Sequence, residues 1–356
     1  NSVYAYRRSS DGGTDGTSTS ASLIFNGIPE ASAPQFGVGH VANISTKEKL
    51  ILSHTVGRST AGAGTAPSKG EAVGKHSQTS VAINKIDLIN DGSGSWETGS
   101  EIVVLGWDED DTHSTNFWEE LASVSGAGSS TTLSSGTITA KKYLWVQVYA
   151  DTATSACGFQ FNNDTGANYA RRYNSNGGTD GTQASHTSAN ISGNSPNAFI
   201  NCFIINNSAN EKLLMCNTVY APASGAGDDP ERSDDYSKWA NTSSQITEID
   251  VIKGSNWGTN AFIPTTFISM ITHAIRSTVS NGRWQFGSTT IDTGANYTSR
   301  REIDGGTDIV AVSQNYIWYR GDSDEFSVGF MINIAGEEKL VMGNSLYVGS
   351  LTGAGY

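Results

Sequence analysis

The chain repeats the stretch Asp164-Thr-Gly-Ala-Asn-Tyr169, followed by Arg171-Arg172 and Asn176-Gly-Gly-Thr-Asp180. It returns as Asp292-Thr-Gly-Ala-Asn-Tyr297 with Arg300-Arg301 and Asp304-Gly-Gly-Thr-Asp308. A partial copy near the start contains Arg7-Arg8 and Asp11-Gly-Gly-Thr-Asp15. Self-similarity at long spacing indicates that a chain is built from repeated structural units. The sequence therefore predicts three such units.

The composition is typical of short strands joined by many turns. The 356 residues include 40 Gly and only 16% charged residues, and glycine is a strong turn former. The net charge of −13 argues against nucleic acid or an anionic membrane as the main partner. No apolar run reaches the roughly 18–20 residues of a membrane-spanning helix, so we expect no membrane insertion. Three Cys, an odd number, imply no disulfide scaffold.

A recurring Lys-Leu pair relates the units. The pair Lys49-Leu50 returns 163 residues later as Lys212-Leu213, and 127 residues after that as Lys339-Leu340. Before each pair, apolar residues alternate in a strand-like pattern, which predicts a β-hairpin in every unit. The hairpin strands are expected at 36–41 with 48–52, at 198–205 with 211–220, and at 326–334 with 338–342.

Other strands are expected on either side of these hairpins. Unit 1 has two later candidates, Val81–Ile89 and Glu101–Leu105, separated by a turn-forming Asn/Asp/Gly stretch. Unit 2 has two earlier candidates, Tyr143–Tyr149 and Gly158–Phe161. In unit 3, Trp284–Phe286 matches the second of these.

These patterns divide the chain into unit 1 (1–110), a linker (111–141), unit 2 (142–262) and unit 3 (263–356). Unit 1 lacks its first strands and unit 3 lacks its last ones. The favoured interpretation is that the chain is a window cut from a longer tandem array, and the alternative is that strands of another chain complete the open units. Within the linker, Ser125–Ser135 is expected to be flexible, and Phe117–Leu121 to form a helical turn or a docking strand.

Several residue groups could carry chemistry, and each has a plainer interpretation. The Asp-Gly-Gly-Thr-Asp loops could bind Ca²⁺, but a tight turn with positive φ at Gly is the favoured interpretation. The Arg pairs could grip an anion, but an ion pair with an Asp of the same repeat is favoured. The acidic loops 108–111 and 228–231 could chelate a cation, but solvated loops are favoured.

The remaining candidates are histidines, cysteines and aromatic residues. None of the six His forms a metal-binding pair, and His40 aligns with Phe203 and Phe330. Cys202 and Cys216 could be cross-strand neighbours, but their counterparts in the other units are small residues, so a disulfide is optional. We assign no catalytic, cofactor-binding or metal-binding residue and no cofactor, and we expect no enzymatic activity.

The segments Ile86-Asp87-Leu88 and Gly99-Ser100-Glu101-Ile102-Val103-Val104-Leu105-Gly106 carry a family resemblance. They resemble a β-sandwich repeat in virion structural proteins of tailed bacteriophages, especially marine ones. The Tyr-Ala-Arg-Arg and Gly-Gly-Thr-Asp elements also fit that repeat. Unit 2 departs from the pattern at Gly258–Ile263, which lacks the Leu-x-Gly ending. The resemblance implies a head, tail or appendage component and brings no catalytic residue with it.

The sequence as a whole predicts an all-β protein of three tandem jelly-roll-like antiparallel β-sandwich repeats, the first and last incomplete. The expected function is a non-enzymatic structural role at the virion surface, in an appendage, fibre or decoration. The expected partners are copies of itself, other virion proteins and a host surface glycan. The alternative is a secreted glycan-binding or adhesin module, whose sugar-stacking candidates are Trp96, Tyr173, Trp257 and Tyr297, although a place in the core is favoured for most of these aromatic residues.

Overall fold

The computed structural model describes most of the chain. The described residues are 3–22, 34–46, 48–90, 95–98, 100–105, 119–126, 130–150, 157–191, 198–220, 227–228, 230–253, 262–263, 268–275, 283–287, 290–301, 307–318, 325–332 and 339–347. Within these ranges the secondary structure is strand and turn, and every strand pair is antiparallel. The predicted all-β class is therefore confirmed.

The described residues form twenty-four strands. They are β1 (Tyr4–Ser10), β2 (Gly16–Ala21), β3 (Gln35–Ala42), β4 (Lys49–Gly57), β5 (Ser68–His76), β6 (Val124–Ser125), β7 (Thr132–Ser134), β8 (Tyr143–Ala150), β9 (Cys157–Phe161), β10 (Tyr169–Ser175), β11 (Gly181–His186), β12 (Ala189–Ile191), β13 (Ala198–Ile205), β14 (Lys212–Tyr220), β15 (Glu231–Trp239), β16 (Ile249–Lys253), β17 (Phe262–Ile263), β18 (Ile268–Ile275), β19 (Arg283–Trp284), β20 (Tyr297–Arg301), β21 (Ile309–Gln314), β22 (Ile317–Trp318), β23 (Glu325–Ile332) and β24 (Leu340–Tyr347).

The described part of unit 2, together with β6 and β7 of the preceding linker, forms two sheets that pack face to face. The larger has the order β11-β10-β15-β14-β13-β8-β17-β6, and the smaller has the order β12-β9-β16-β7. Alternate residues of a strand point to opposite faces, so Leu214 and Cys216 of β14 face the smaller sheet. There they join Phe159, Phe161 and Val251 in one buried apolar core.

Unit 1 has one described sheet, of the order β2-β1-β5-β4-β3. It reproduces the β11-β10-β15-β14-β13 part of unit 2. The predicted hairpin is confirmed, because β3 pairs with β4 along its whole length, from Gln35 opposite Gly57 to Ala42 opposite Leu50.

Unit 3 reproduces other parts of the same plan. The order β18-β23-β24 matches β8-β13-β14, and the separate pair β20-β21 matches β10-β11. In unit 2, β15 lies between β14 and β10 and joins them into one sheet. Among the described residues, no strand takes that place in unit 3, so its two parts remain separate sheets.

The three units meet at a common centre. The equivalent strands β4, β14 and β24 contact one another pairwise, which gives an approximate three-fold arrangement. The faces that meet are those turned away from the core of unit 2. Leu50 and Leu52 of unit 1, Val219 of unit 2, and Phe330 and Leu340 of unit 3 form one buried cluster there.

Two expectations from the sequence are wrong. Residues 81–89 and 101–105 form no strand, although their apolar pattern is strand-like. The segment expected to be a flexible linker contributes β7, which pairs with β16 from Thr132 opposite Ile252 to Ser134 opposite Asp250. The expected docking element at Phe117–Leu121 lies largely outside the described residues, and its described part, 119–121, is not a strand.

Candidate functional site at the junctions between units

The Gly-Gly-Thr-Asp loops of units 1 and 2 are tight turns, as favoured from the sequence, and the loop of unit 3 at 304–306 lies outside the described residues. Asp11 and Gly12 have φ values of 52° and 71°, and Asn176 and Gly177 have 52° and 69°. Each turn is tied to a strand of its own unit by a reciprocal pair of hydrogen bonds. The amide of Asp11 donates to the carbonyl of Lys69, whose amide donates to Oδ1 of Asp11 at 2.8 Å. Asn176 and Arg232 repeat this exchange in unit 2.

Each turn also receives the last Asp of the same motif in the next unit. A Cβ placed on Gly12 would lie 2.7 Å from Oδ1 of Asp180. A Cβ placed on Gly177 would lie 2.8 Å from Cγ of Asp308. No side chain fits at either position, and the positive φ also favours glycine. Unit 2 therefore docks on unit 1 as unit 3 docks on unit 2.

Ion pairs close both junctions. Nζ of Lys69 lies 3.2 Å from Oδ1 of Asp180, and a guanidinium nitrogen of Arg232 lies 3.0 Å from Oδ1 of Asp308. Only 4% and 3% of the two Asp side chains are exposed. Burial by itself lowers the pKa of Lys69, but Glu71, Asp180 and Asp234 outweigh it and raise the pKa. The lysine therefore stays charged at neutral pH.

Each junction is spanned by one arginine, which comes from the later of the two units. Nε of Arg172 donates to the carbonyl of Pro67 at 3.1 Å, and Nε of Arg300 donates to the carbonyl of Pro230 at 2.9 Å. Both also pair with the motif Asp of their own unit, at 3.6 Å and 3.7 Å. The favoured ion pair with an Asp of the same repeat is confirmed. The bond across the junction was missed, because a contact between units leaves no local pattern in sequence.

Only one arginine of each Arg pair occupies an equivalent position in the three units. Arg172 and Arg300 occupy equivalent places, and Arg7, which lies 3.4 Å from Asp15, is their counterpart in unit 1. The second arginine differs between units. Arg171 lies on the other face of β10, where it donates to the buried Asp235 at 2.9 Å and stacks on Tyr173 at 4.1 Å.

The Asp-Thr-Gly-Ala-Asn-Tyr stretch folds back on its own aspartate. Asp164 accepts hydrogen bonds from the amide of Gly166, the side chain of Asn168 and Nε1 of Trp239. The Tyr169 hydroxyl donates to the Asp164 carbonyl and accepts the amide of Phe161. Burial opposes ionisation of Asp164, but the Trp239, Gly166 and Asn168 bonds outweigh it and lower the pKa. Unit 3 repeats the loop around Asp292.

The common centre is polar in one part and aromatic in another. The Tyr236 hydroxyl of unit 2 lies 3.1 Å from Nδ1 of His54 and donates to Glu71 at 2.8 Å, and both partners belong to unit 1. Nε2 of the same His54 lies 3.3 Å from Asn344 of unit 3. In the aromatic part, the Trp145 and Phe203 rings of unit 2 pack against Phe330 of unit 3.

The cysteines pair as neighbours across a hairpin. Cys202 lies directly opposite Cys216 in the β13-β14 register, and the two form a disulfide with Cα atoms 4.1 Å apart. Their counterparts are also directly opposed, Gly39 with Ser53 and Gly329 with Gly343. The cross-strand placement is therefore confirmed. Cys157 is free and buried.

The other candidate residues lie in different environments. Tyr297 is buried, Trp96 is 52% exposed, and Trp257 lies outside the described residues. The acidic loop 108–111 also lies outside them. Within the described part of the chain, no group of three or more His, Cys, Asp or Glu has the geometry of a metal site, and no helix is long and apolar enough to cross a membrane.

The chain matches no family model, no curated protein and no solved structure. What the junctions and the common centre do therefore follows from their own geometry. They hold charged and aromatic groups between units, where each group already has a partner within the chain. This arrangement fixes the units relative to one another.

Proposed function

We propose that the chain is a non-enzymatic structural protein of a virion. It assembles with copies of itself and with other virion proteins into a surface appendage, fibre or decoration, outside the host cell. Its units are jelly-roll-like sandwiches. Such an appendage also contacts a host surface glycan.

The observation that carries this proposal is the repeated junction. The same contact, a buried Asp against a positive-φ Gly with a basic partner, holds unit 2 on unit 1 and unit 3 on unit 2. Buried, charge-assisted contacts of fixed geometry stabilise one relative placement of packed parts. A body whose parts are held in this way suits a load-bearing role.

Two further features support the proposal. The resemblance to phage virion repeats spans all three units. Units 1 and 3 also leave sheet edges without a described partner, at β3 in unit 1 and at β24 in unit 3. Open edges favour the addition of further strands. The alternative, a secreted glycan-binding or adhesin module, is favoured by one observation, the exposed ring of Trp96.

The test is the mass of the purified chain across a concentration series, by light scattering behind size exclusion, with negative-stain electron microscopy of each fraction. Growth from monomers to regular rings, filaments or fibres supports the structural role. Monomers at all concentrations that bind a glycan saturably, with loss of binding in Trp96→Ala, contradict it and favour the adhesin alternative.

A further inference from the structure

The segment Ile86–Ile89 exposes apolar side chains that unit 2 buries in the equivalent place. Ile86 and Leu88 are 44% and 48% exposed. Their counterparts 163 residues later, Ile249 and Val251 of β16, are 5% and 0% exposed. In unit 2 this burial depends on pairing, because β16 lies between β9 and β7 in the smaller sheet.

The residues that precede this segment are held by the same hydrogen bonds as their equivalents in unit 2. The Asn43 side chain accepts the amide of Ile83 at 2.6 Å and donates to its carbonyl at 2.8 Å. In unit 2 the Asn206 side chain makes the same two bonds to Ile246, three residues before β16. Unit 1 therefore holds the segment at the place where a strand of β16 type begins. The described part of unit 1 contains no strand equivalent to β9 beside this segment.

Unit 3 carries that strand. The amide of Phe286 donates to the Tyr297 hydroxyl as the amide of Phe161 donates to Tyr169. Gln285 donates to the carbonyl of Asn315 as Gln160 donates to that of Thr187. Residues 284–286 are thus the structural equivalents of 159–161 in β9. Among the described residues of unit 3, β19 pairs with β22 alone, so the side that β16 occupies in unit 2 has no described strand on it.

Within one chain, the segment of unit 1 that is equivalent to β16 and the strand of unit 3 that is equivalent to β9 face away from each other. Leu50 of β4 and Leu340 of β24 lie in the central cluster where units 1 and 3 meet. In unit 2, the equivalent central face of β14 is opposite to the face that β9 and β16 cover. The β16-type segment of unit 1 and the β9-type strand of unit 3 therefore lie on outer surfaces. A second copy of the chain can bring them together.

We propose that residues 86–90 of one copy add as an antiparallel strand to β19 and the residues after it, 285–286, in unit 3 of a second copy. This interface rests on the proposed function, because it is the contact through which copies assemble. The joined sheet has the order β22, β19 and the added segment, which reproduces β12-β9-β16 of unit 2. The register follows from unit 2, where Asp250 lies opposite Gln160. Asp87 of one copy lies opposite Gln285 of the other.

Cysteine cross-linking tests this register. Asp87→Cys and Gln285→Cys are placed in two differently tagged copies, which are mixed and oxidised. Directly opposed residues of antiparallel strands are within reach of a disulfide, so a heterodimer is expected on a non-reducing gel. Lys85→Cys mixed with Gln285→Cys is the matched control, because Lys85 is exposed and two residues out of register. Equal linking in both mixtures, or none in either, would overturn the proposal.

A second pair of variants separates this interface from folding. Leu88→Asp is expected to raise the midpoint concentration of assembly by about tenfold or more, because it places a charge in an apolar contact. Its unfolding midpoint should match wild type, because Leu88 is exposed in the single chain. Val310→Asp, at an equally exposed site of β21, should assemble normally. If wild type assembles and Leu88→Asp assembles equally well, this interface is wrong while the structural role stands. If wild type never assembles, the proposed function itself fails.

Discussion

The substitution Gly177→Ala tests the junction between units 2 and 3 most sharply. Gly177 has a φ of 69°, a conformation that costs a non-glycine residue about 1–2 kcal/mol. The new Cβ would also lie 2.8 Å from Cγ of Asp308. Asp308 must then withdraw, which breaks its 3.0 Å contact with Arg232. Loss of a charge-assisted hydrogen bond costs roughly 1.5–3 kcal/mol. Together the two effects should lower the free energy of unfolding by about 2.5–5 kcal/mol.

The assay is urea unfolding followed by tryptophan fluorescence, with two controls. Gly136→Ala has a similar φ of 61° with nothing within 4 Å of its new Cβ, so it measures the backbone cost alone. In an Asp308→Ala background, Gly177→Ala should cost only that same backbone amount, because the steric conflict is gone. Equal costs for Gly177→Ala and Gly136→Ala, or an undiminished cost in the Asp308→Ala background, would refute the described junction.

Three further predictions concern the titration and redox chemistry of buried groups. Burial, aided by the charge of His54, lowers the pKa of His40 to about 4. Below about pH 6.5 the unfolded chain therefore binds a proton at His40 that the folded chain does not bind. The free energy of unfolding should fall by on the order of 3 kcal/mol between pH 6.5 and 4. His40→Phe, which copies Phe203 and Phe330, should remove this loss in acid unfolding curves, and an unchanged pH profile would contradict the assignment. The Cys202–Cys216 disulfide joins cysteines that are 14 residues apart, so its reduction should lower the free energy of unfolding by about 3 kcal/mol. The variant with Ser at both positions should not respond to reductant. A wild-type protein whose stability does not change with reductant would count against the disulfide. Burial raises the pKa of the Cys157 thiol to about 12, so a thiol reagent at pH 8 should leave the native protein unlabelled and modify one thiol only after unfolding; fast labelling of the native chain would show that this part of the core is open.

The sequence predicted elements whose causes are local. The hairpin at β3-β4 follows from alternating apolar residues around a turn, and the Gly-Gly turns follow from glycine's access to positive φ. The facing of Cys202 and Cys216 followed from their symmetric spacing about the β13-β14 turn. In each case the pattern and its physical cause lie within about twenty residues.

The sequence failed where the outcome depends on a distant partner. Ile86–Ile89 has the pattern of β16, but a strand requires a neighbour to accept its hydrogen bonds, and none of the described residues of unit 1 supplies it. Asp180 and Asp308 were recognised as turn residues. Their burial against a glycine of the preceding unit depends on how units pack, which no local pattern encodes.

Three similar units pack around a common centre, and the distance between His54 and Asn344 tests this arrangement. His54 of unit 1 and Asn344 of unit 3 are 290 residues apart in sequence, yet their side-chain nitrogens lie 3.3 Å apart. In the double variant His54→Cys and Asn344→Cys, a short bismaleimide applied at high dilution should link the two sites within one chain, as detected by mass spectrometry of peptides. The pair His186→Cys and Asn344→Cys serves as control, because His186 lies on the outermost strand of the larger unit 2 sheet. Efficient linking of the first pair only is the predicted result, and failure to link it in folded protein would contradict the shared centre.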